Sequence, residues 1–245
     1  SKPTHPALLD WVARWVGSSG WDVKALHRLI VSSATFRQAS SASPALRDRD
    51  PENRLLARGP RYQLAAEMLR DQALWASGLL VERLGGPPVR PYQPDGLWRE
   101  KSGATYHRAK GDGLYRRSLY TYWKRTSPPP AMLLLDASKR DICVMRRQST
   151  STPLQALLML NDPQFVESAR IWAEDVVAAG GADNERWTRV FKRLAGRAPG
   201  GGSSGRSGPP AACRRGRETL MRGMQGLHLG PPDKLEVGAY ALGFL

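Results

Sequence analysis

The side chains with the greatest capacity for chemistry lie in residues 140–163, RDICVMRRQSTSTPLQALLMLNDP. Arg146 and Arg147 come shortly before the hydroxyls of Thr150 and Thr152, and an apolar helical run follows. Two guanidiniums and the free N–H groups of a helix start attract the same ligand, an anion, and the helix dipole adds to them. The pattern therefore predicts an anion-binding site.

The same segment also has a structural interpretation. Thr152 is a good helix N-cap, because its hydroxyl can accept a hydrogen bond from the first helical turn. The arginines can bind backbone carbonyls or the carboxylates of Asp136 and Asp141. We favour this interpretation, since capping alone explains the hydroxyl. Gln155 and Asn161 complete the polar set of the segment.

Two further groups are candidates for catalysis. Cys143 lies among arginines, which would favour a reactive thiolate, but no histidine is near it in sequence, so we expect a buried structural thiol. Glu67 and Asp71 are one helical turn apart, and we expect ion pairs with Arg70 or Arg61 rather than a pair of catalytic carboxylates. The sequence contains no nucleophile elbow, phosphate loop or dinucleotide fingerprint. It names no catalytic residue, and whether the protein is an enzyme stays open.

A second basic stretch lies in residues 115–125, YRRSLYTYWKR. Arg116 and Arg117 precede alternating aromatic side chains, and Lys124 follows them. Cations interleaved with aromatic rings are typical of surfaces that bind nucleic acid or glycan. We favour the alternative, an aromatic core with a solvated basic rim.

The charge of the chain is strongly positive, +15 over 245 residues. Residues 97–150 carry 12 basic and 4 acidic side chains, so the excess is centred there. Such a field attracts acidic proteins, anionic glycans or nucleic acid. No metal site and no cofactor are expected, because the four histidines share no helical face and no CxxC or CxxCH occurs.

Hydrophobic periodicity predicts a mainly α, multi-helix single domain over residues 1–198. We expect Thr4 and Asp22 to cap the first two helices and residues 39–53 to form a loop. An irregular Gly/Pro-rich, aromatic-rich stretch spans 85–113, and 115–125 forms a strand or a short helix. Helices are expected at 6–17, 23–33, 63–80, 154–160, 163–179 and 185–194. Residues 199–245 are low in complexity and are expected to be disordered. No apolar run is long enough for a membrane span, and no signal peptide is visible.

Several stretches resemble one family closely: HPALLDWVARWV, GWDVKALHRLIVSSATFRQAS, DPENRLLARGPRYQLAAEMLRDQAL, YRRSLYTYWKRTSPPPAMLLLDA and STPLQALLMLNDPQFVESA. They look like the planctomycete PSD-type domain, domain of unknown function 1553. In that family the domain closes large exported proteins that often carry a cytochrome-c-like module upstream. The resemblance implies an exported or periplasmic setting and a haem partner module in relatives, but no catalytic set and no haem in this chain.

The chain departs from that family at two places. The family commonly reads Arg-Thr-Asn-Thr-Pro where this chain has Ser-Thr-Ser-Thr-Pro at residues 149–153. The similarity ends near residue 198, where a Gly/Ser/Arg/Pro tail replaces further helices. We interpret the chain as N-terminally truncated and the tail as the product of a reading-frame shift. Resequencing of the gene tests this interpretation. An intact helical continuation in another reading frame would support it, and the absence of such a continuation would contradict it.

The sequence therefore favours a non-catalytic binding or scaffold module of a larger envelope protein. Its basic surface would receive an anionic partner, either an acidic protein domain or an anionic glycan. One alternative is a hydrolase or glycan-processing enzyme that acts on an anionic substrate through residues 116–153. The other is a nucleic-acid-binding protein, which only the charge suggests.

Overall fold

The computed structural model describes residues 3–60, 62–196 and 198. It divides the chain into two compact units, Ser1–Gln63 and Leu64–Leu245. The described residues contain nine α-helices, two short 3₁₀ helices and two isolated β-bridges. The predicted mainly α class is therefore confirmed, and the predicted tail lies outside the described residues. Within those residues, no helix is both long enough and apolar enough to cross a membrane.

The first unit begins with two helices joined by a short turn, α1 (Pro6–Ser18) and α2 (Val23–Ser32). Asp22 caps α2 as predicted, accepting a 2.9 Å hydrogen bond from the N–H of Ala25. Thr4 does not cap α1. The N-cap position falls on His5, and the Thr4 hydroxyl instead bonds the His5 ring.

The predicted loop at 39–53 contains a short helix, α3 (Pro44–Arg49). Ser43 accepts a hydrogen bond from the N–H of Leu46, and Pro44 occupies the first helical turn, where a missing N–H costs nothing. The prediction of a plain loop was wrong. It relied on the polar composition of residues 39–53 and overlooked the helix start signal of Ser43 and Pro44.

The second unit is built on six helices. They are α4 (Ala66–Ala76), α5 (Leu97–Ser102), α6 (Pro130–Leu134), α7 (Pro153–Asn161), α8 (Pro163–Ala178) and α9 (Asp183–Ala195). The helix predicted at 63–80 is shorter at both ends. Ala65 has an extended backbone, and the chain turns at Gly78, whose φ of +76° lies in the left-handed region.

The core of this unit lies between α4, α6, α8 and α9. The buried positions of α4 follow a spacing of three and four residues, and those of α8 do the same, so each helix turns one apolar stripe inward. These positions are Ala66, Leu69, Ala73 and Ala76 on α4, and Phe165, Ala169, Trp172 and Val176 on α8.

Arg70 connects this core to the irregular middle of the chain. Its buried guanidinium donates to the carbonyls of Leu114 (2.7 Å) and Arg116 (2.9 Å), and to the side chains of Ser118 and Gln164. Burial lowers the pKa of Arg70 to about 10, although Asp71 opposes that shift. One side chain of α4 thereby fixes the stretch 114–118. The chain continues from there into a 3₁₀ helix, Ser118–Tyr120, rather than a regular strand.

Candidate functional site

The polar residues of the 140–163 segment form a hydrogen-bonded clasp around Asp136. One oxygen of the Asp136 carboxylate, Oδ2, accepts from the Thr150 N–H at 2.7 Å, from the Thr150 hydroxyl at 2.7 Å and from Gln155 Nε2 at 3.1 Å. Gln155 Nε2 also donates to the Thr150 hydroxyl at 3.1 Å. Partial burial raises the pKa of Asp136, but the hydrogen bonds from Thr150 and Gln155 outweigh it and leave the pKa below its usual value.

The clasp is continuous with the start of α7. The Thr152 hydroxyl accepts from the N–H of Gln155, and the Gln155 side chain accepts from the N–H of Thr152, both at 3.3 Å. This reciprocal pair is a capping box. The capping interpretation of Thr152 is therefore confirmed, and Gln155 serves both the helix start and Asp136.

The clasp closes a loop that we call the 137–149 loop. Its ends meet at Asp136 and Thr150, the arrangement of an Ω-loop. Asp136 has a φ of +61°, so the chain leaves α6 through a left-handed residue. Asp tolerates that conformation better than most residues because its short polar side chain can hydrogen-bond locally.

Three further contacts hold the sides of the 137–149 loop. Arg147 makes a two-pronged ion pair with Glu67 of α4, at 2.6 and 3.1 Å. Trp123 Nε1 donates to the carbonyl of Lys139 at 3.0 Å, and the Arg140 guanidinium lies 4.8 Å from the Trp123 ring centre. The loop is therefore attached along both sides as well as at its ends.

Two of the predicted arginine partners differ in the structure. Asp141 pairs with Arg125 at 3.7 Å, not with Arg146 or Arg147. Glu67 pairs with Arg147 instead of Arg70, and the Arg147 hydrogen bonds outweigh burial to lower the pKa of Glu67. Asp71 lies 4.0 Å from Arg70, as expected, and also accepts a 2.7 Å bond from the N–H of Ser118. Arg61 lies outside the described residues.

Cys143 is exposed, which corrects the expectation of a buried thiol. The 137–149 loop carries it away from the core, and Arg146 beside it is exposed as well. Asn161, at the end of α7, is exposed and donates to the carbonyl of Leu157 at 2.8 Å. Among the described residues, no group of three or more His, Cys, Asp or Glu side chains could hold a metal ion.

Arg116 does not belong to a basic rim, because it is fully buried. Its guanidinium donates to the carbonyls of Pro87 and Arg83, each at 3.0 Å, and of Gly85, and it stacks on the Tyr120 ring at 3.9 Å. Sequence alone could not distinguish it from its neighbour Arg117, which is exposed. Arg116 therefore shapes the turn at 83–87 and has no free face for a ligand.

A set of cations stacked on aromatic rings runs along the middle segment. Lys124 Nζ lies 4.3 Å from the Trp98 ring centre and donates to the Ser102 hydroxyl at the end of α5. The Arg90 guanidinium lies near both Trp98 and Tyr122, at 5.7 and 5.0 Å from their ring centres. The next residue along the chain is Trp123, and the Arg140 guanidinium lies over its ring. Two exposed cations of α5, Arg99 and Lys101, adjoin this set. We call Arg99, Lys101, Lys124 and Arg140 the basic band.

A small cavity lies beside Arg70, with Gln164, Asp162 and Thr121 in its wall. Its volume of about 30 Å³ suits a water-sized molecule, whereas substrate pockets span hundreds of Å³. Burial raises the pKa of Asp162, and that shift exceeds the opposing effect of its bonds to the first N–H groups of α8. The cavity is part of the core beside the buried arginine.

The fold and site define a mainly α protein that presents a clasped loop beside a band of cations. Residues 1–204 match the family described as protein of unknown function (DUF1553), PSD1. The chain belongs to that family, as its sequence motifs indicated. No curated protein and no solved structure matches the chain significantly.

Proposed function

We propose that the domain is a binding or scaffold module that receives an anionic partner, an acidic protein domain or an anionic glycan, on its basic band. The observation that carries the proposal is the imbalance of charge. Residues 97–150 hold 12 basic side chains and 4 acidic ones. Among the described residues, only two of those cations form ion pairs, Arg125 with Asp141 and Arg147 with Glu67.

The aromatic rings of the band support the proposal further. Trp98 and Trp123 hold Lys124 and Arg140 by cation–π contact, which limits the freedom of these long side chains before a partner arrives. A cation that is already ordered loses less conformational entropy on binding. A stacked cation still carries its full charge, so it remains available to a sulfate or carboxylate.

No feature of the described residues specifically favours the hydrolase alternative. The Asp136 Oδ2 atom is occupied by three hydrogen bonds, and Thr152 and Gln155 bond each other at the start of α7. Cys143 sits on an exposed loop. The nucleic-acid alternative rests on charge alone, and the experiment below includes it.

The test measures binding of the full chain to a heparin fragment, a polyglutamate peptide and duplex DNA over a series of salt concentrations. We expect the glycan or the peptide to bind more tightly than DNA, with affinity falling as salt rises. Tighter binding to DNA would favour the nucleic-acid alternative. The absence of binding to all three would refute the proposal.

A pair of double variants locates the surface. Arg99→Gln with Lys101→Gln removes two cations of the basic band, and we expect binding to weaken about three- to tenfold, with a shallower salt dependence. Arg189→Gln with Lys192→Gln is the matched control, because both side chains are exposed on α9. The surrounding residues 151–196 hold 5 basic and 6 acidic side chains, so this stretch has no excess of positive charge. Equal weakening by both pairs would show non-specific attraction and would refute the assignment to the band.

A further inference from the structure

The outermost part of the 137–149 loop is apolar and exposed. Residues 142–145, which we call the apex, are Ile, Cys, Val and Met. The Ile142 side chain is 75% exposed, Val144 is 51% exposed, and Met145 is fully exposed. Cys143 between them is exposed too. Four consecutive apolar side chains in water are unfavourable unless another medium covers them in use.

The apex is presented by a base that is held in place. Asp136 and Thr150 close the loop, and Arg147 binds Glu67 next to the apex. On the other side, the Lys139 carbonyl accepts from Trp123. No hydrogen bond or ion pair is made by the side chains of the apex itself among the described residues. The loop is therefore held at its base while the side chains of its apex stay largely exposed.

Cations border the apex on both sides. Lys139 and Arg140 precede it, and Arg146 follows it directly; all three are exposed. The single acidic residue of the loop, Asp141, pairs with Arg125. The surface around the apex therefore has a positive field, which suits a partner that is apolar inside and negatively charged at its edge.

We propose that the apex inserts into the surface of an anionic lipid bilayer, with the flanking cations on the lipid headgroups. A protein groove covers one side of an extended segment, and successive side chains of such a segment point to opposite sides. Here consecutive residues are all apolar and all exposed, so an occupant that surrounds the apex fits better than a groove. Anionic lipid supplies both the apolar interior and the negative edge.

This interaction goes beyond the proposed function, because it uses the apex rather than the basic band alone. Polyanions in solution offer no apolar medium, so heparin or polyglutamate binding does not require Ile142 or Met145. The two proposals can therefore fail separately.

The first experiment is sedimentation of the full chain with vesicles of phosphatidylcholine alone or mixed with phosphatidylglycerol. We expect binding to the mixed vesicles and far less to the neutral ones. Ile142→Ser with Met145→Ser should weaken binding to mixed vesicles at least about 30-fold, because each side chain loses its transfer into lipid. Arg146→Gln should weaken it about fivefold.

The matched control is Leu84→Ser with Leu119→Ser. These leucines are 81% and 72% exposed and lie outside the loop, so the control removes similar apolar area at similar exposure. We expect it to bind mixed vesicles like the unmodified chain. Equal binding by the apex variant and the control would overturn the proposal, because attraction by the net charge of +15 would then suffice.

The second experiment uses Cys143 as a reporter. An environment-sensitive fluorophore is attached to Cys143 in a chain that carries Cys213→Ser. We expect the emission to shift to the blue with mixed vesicles and to stay unchanged with heparin. Vesicle binding without a blue shift would overturn insertion. Heparin or polyglutamate binding without any vesicle binding would overturn this proposal and leave the proposed function intact.

Discussion

Removal of the Asp136 carboxylate provides the sharpest test of the clasp. Asp136→Gly deletes the acceptor of three hydrogen bonds, two from Thr150 and one from Gln155. Glycine adopts the φ of +61° without strain, so the substitution removes the side-chain hydrogen bonds without forcing a change in the backbone conformation. Because the carboxylate is partly exposed, each bond contributes about 1 kcal/mol, which gives a loss of about 3 kcal/mol.

The gain from relieving the left-handed backbone, about 1 kcal/mol, is roughly offset by the greater unfolded-state entropy of glycine. A loss of about 3 kcal/mol raises the opening equilibrium of the loop by about 100-fold. Limited trypsin digestion reads this directly, because Lys139, Arg140 and Arg146 are cleavage sites on the loop. We expect cleavage there to accelerate by about that factor, and urea unfolding to show how much of the loss is global.

The matched control is Asp141→Gly, which removes one exposed 3.7 Å ion pair from the same loop. Exposed pairs contribute less than about 1 kcal/mol, so cleavage should accelerate only a few-fold. Asp136→Asn should restore much of the clasp, because an amide oxygen can still accept and Asn tolerates the left-handed backbone. Equal cleavage of the two glycine variants would refute the role of the clasp.

The lowered pKa of Asp136 adds a pH dependence of known sign. A carboxyl whose pKa is depressed on folding stabilises the fold above its unfolded-state pKa, near 4, and loses that contribution as pH falls through the folded value. Trypsin acts poorly in acid, so urea unfolding below about pH 4 is the suitable measurement. The slope should be smaller in Asp136→Asn than in the unmodified chain.

Three further outcomes are expected. Thr152→Ala should lower the free energy of unfolding by about 1 kcal/mol, measured by urea denaturation, because the capping box at α7 is lost; an unchanged midpoint would contradict this. Arg116→Lys should cost about 3 kcal/mol or more, since one ammonium cannot replace a buried planar guanidinium bonded to three carbonyls; Arg117→Lys, at an exposed site, is its control. Burial raises the pKa of Asp162, so the free energy of unfolding should fall as the pH rises through the raised pKa of the folded state. Asp162→Asn should still cap α8 and should remove this dependence on pH. An unaltered pH dependence would show that another group causes it.

Local sequence predicted much of the helical framework. Asp22 and Thr152 cap helices where the hydroxyl or carboxylate accepts from an N–H three residues ahead, so a window of four residues contains the whole interaction. Asp162 caps α8 over a still shorter span, because it accepts from the N–H of Gln164 two residues ahead. The short helix α3 has an equally local signal in Ser43, although a polar surrounding concealed it.

The candidate site could be predicted only in part, because its bonds join distant positions. Glu67 and Arg147 are far apart in sequence, and the pairing of Asp136 with Thr150 depends on how the loop returns to α6. The sequence indicated that these groups are polar and close to a helix start. It did not indicate which residue each of them pairs with.

The sequence by itself determined the mainly α class, the family, the positive charge of the middle segment and the caps of several helices, because each depends on composition or on residues within one turn. Only the tertiary structure decided that Arg116 is buried while Arg117 is exposed, and that Cys143 lies on an exposed apex. The reason is physical: exposure and long-range pairing follow from which surfaces pack together, and two arginines that are adjacent in sequence meet opposite environments once the chain folds.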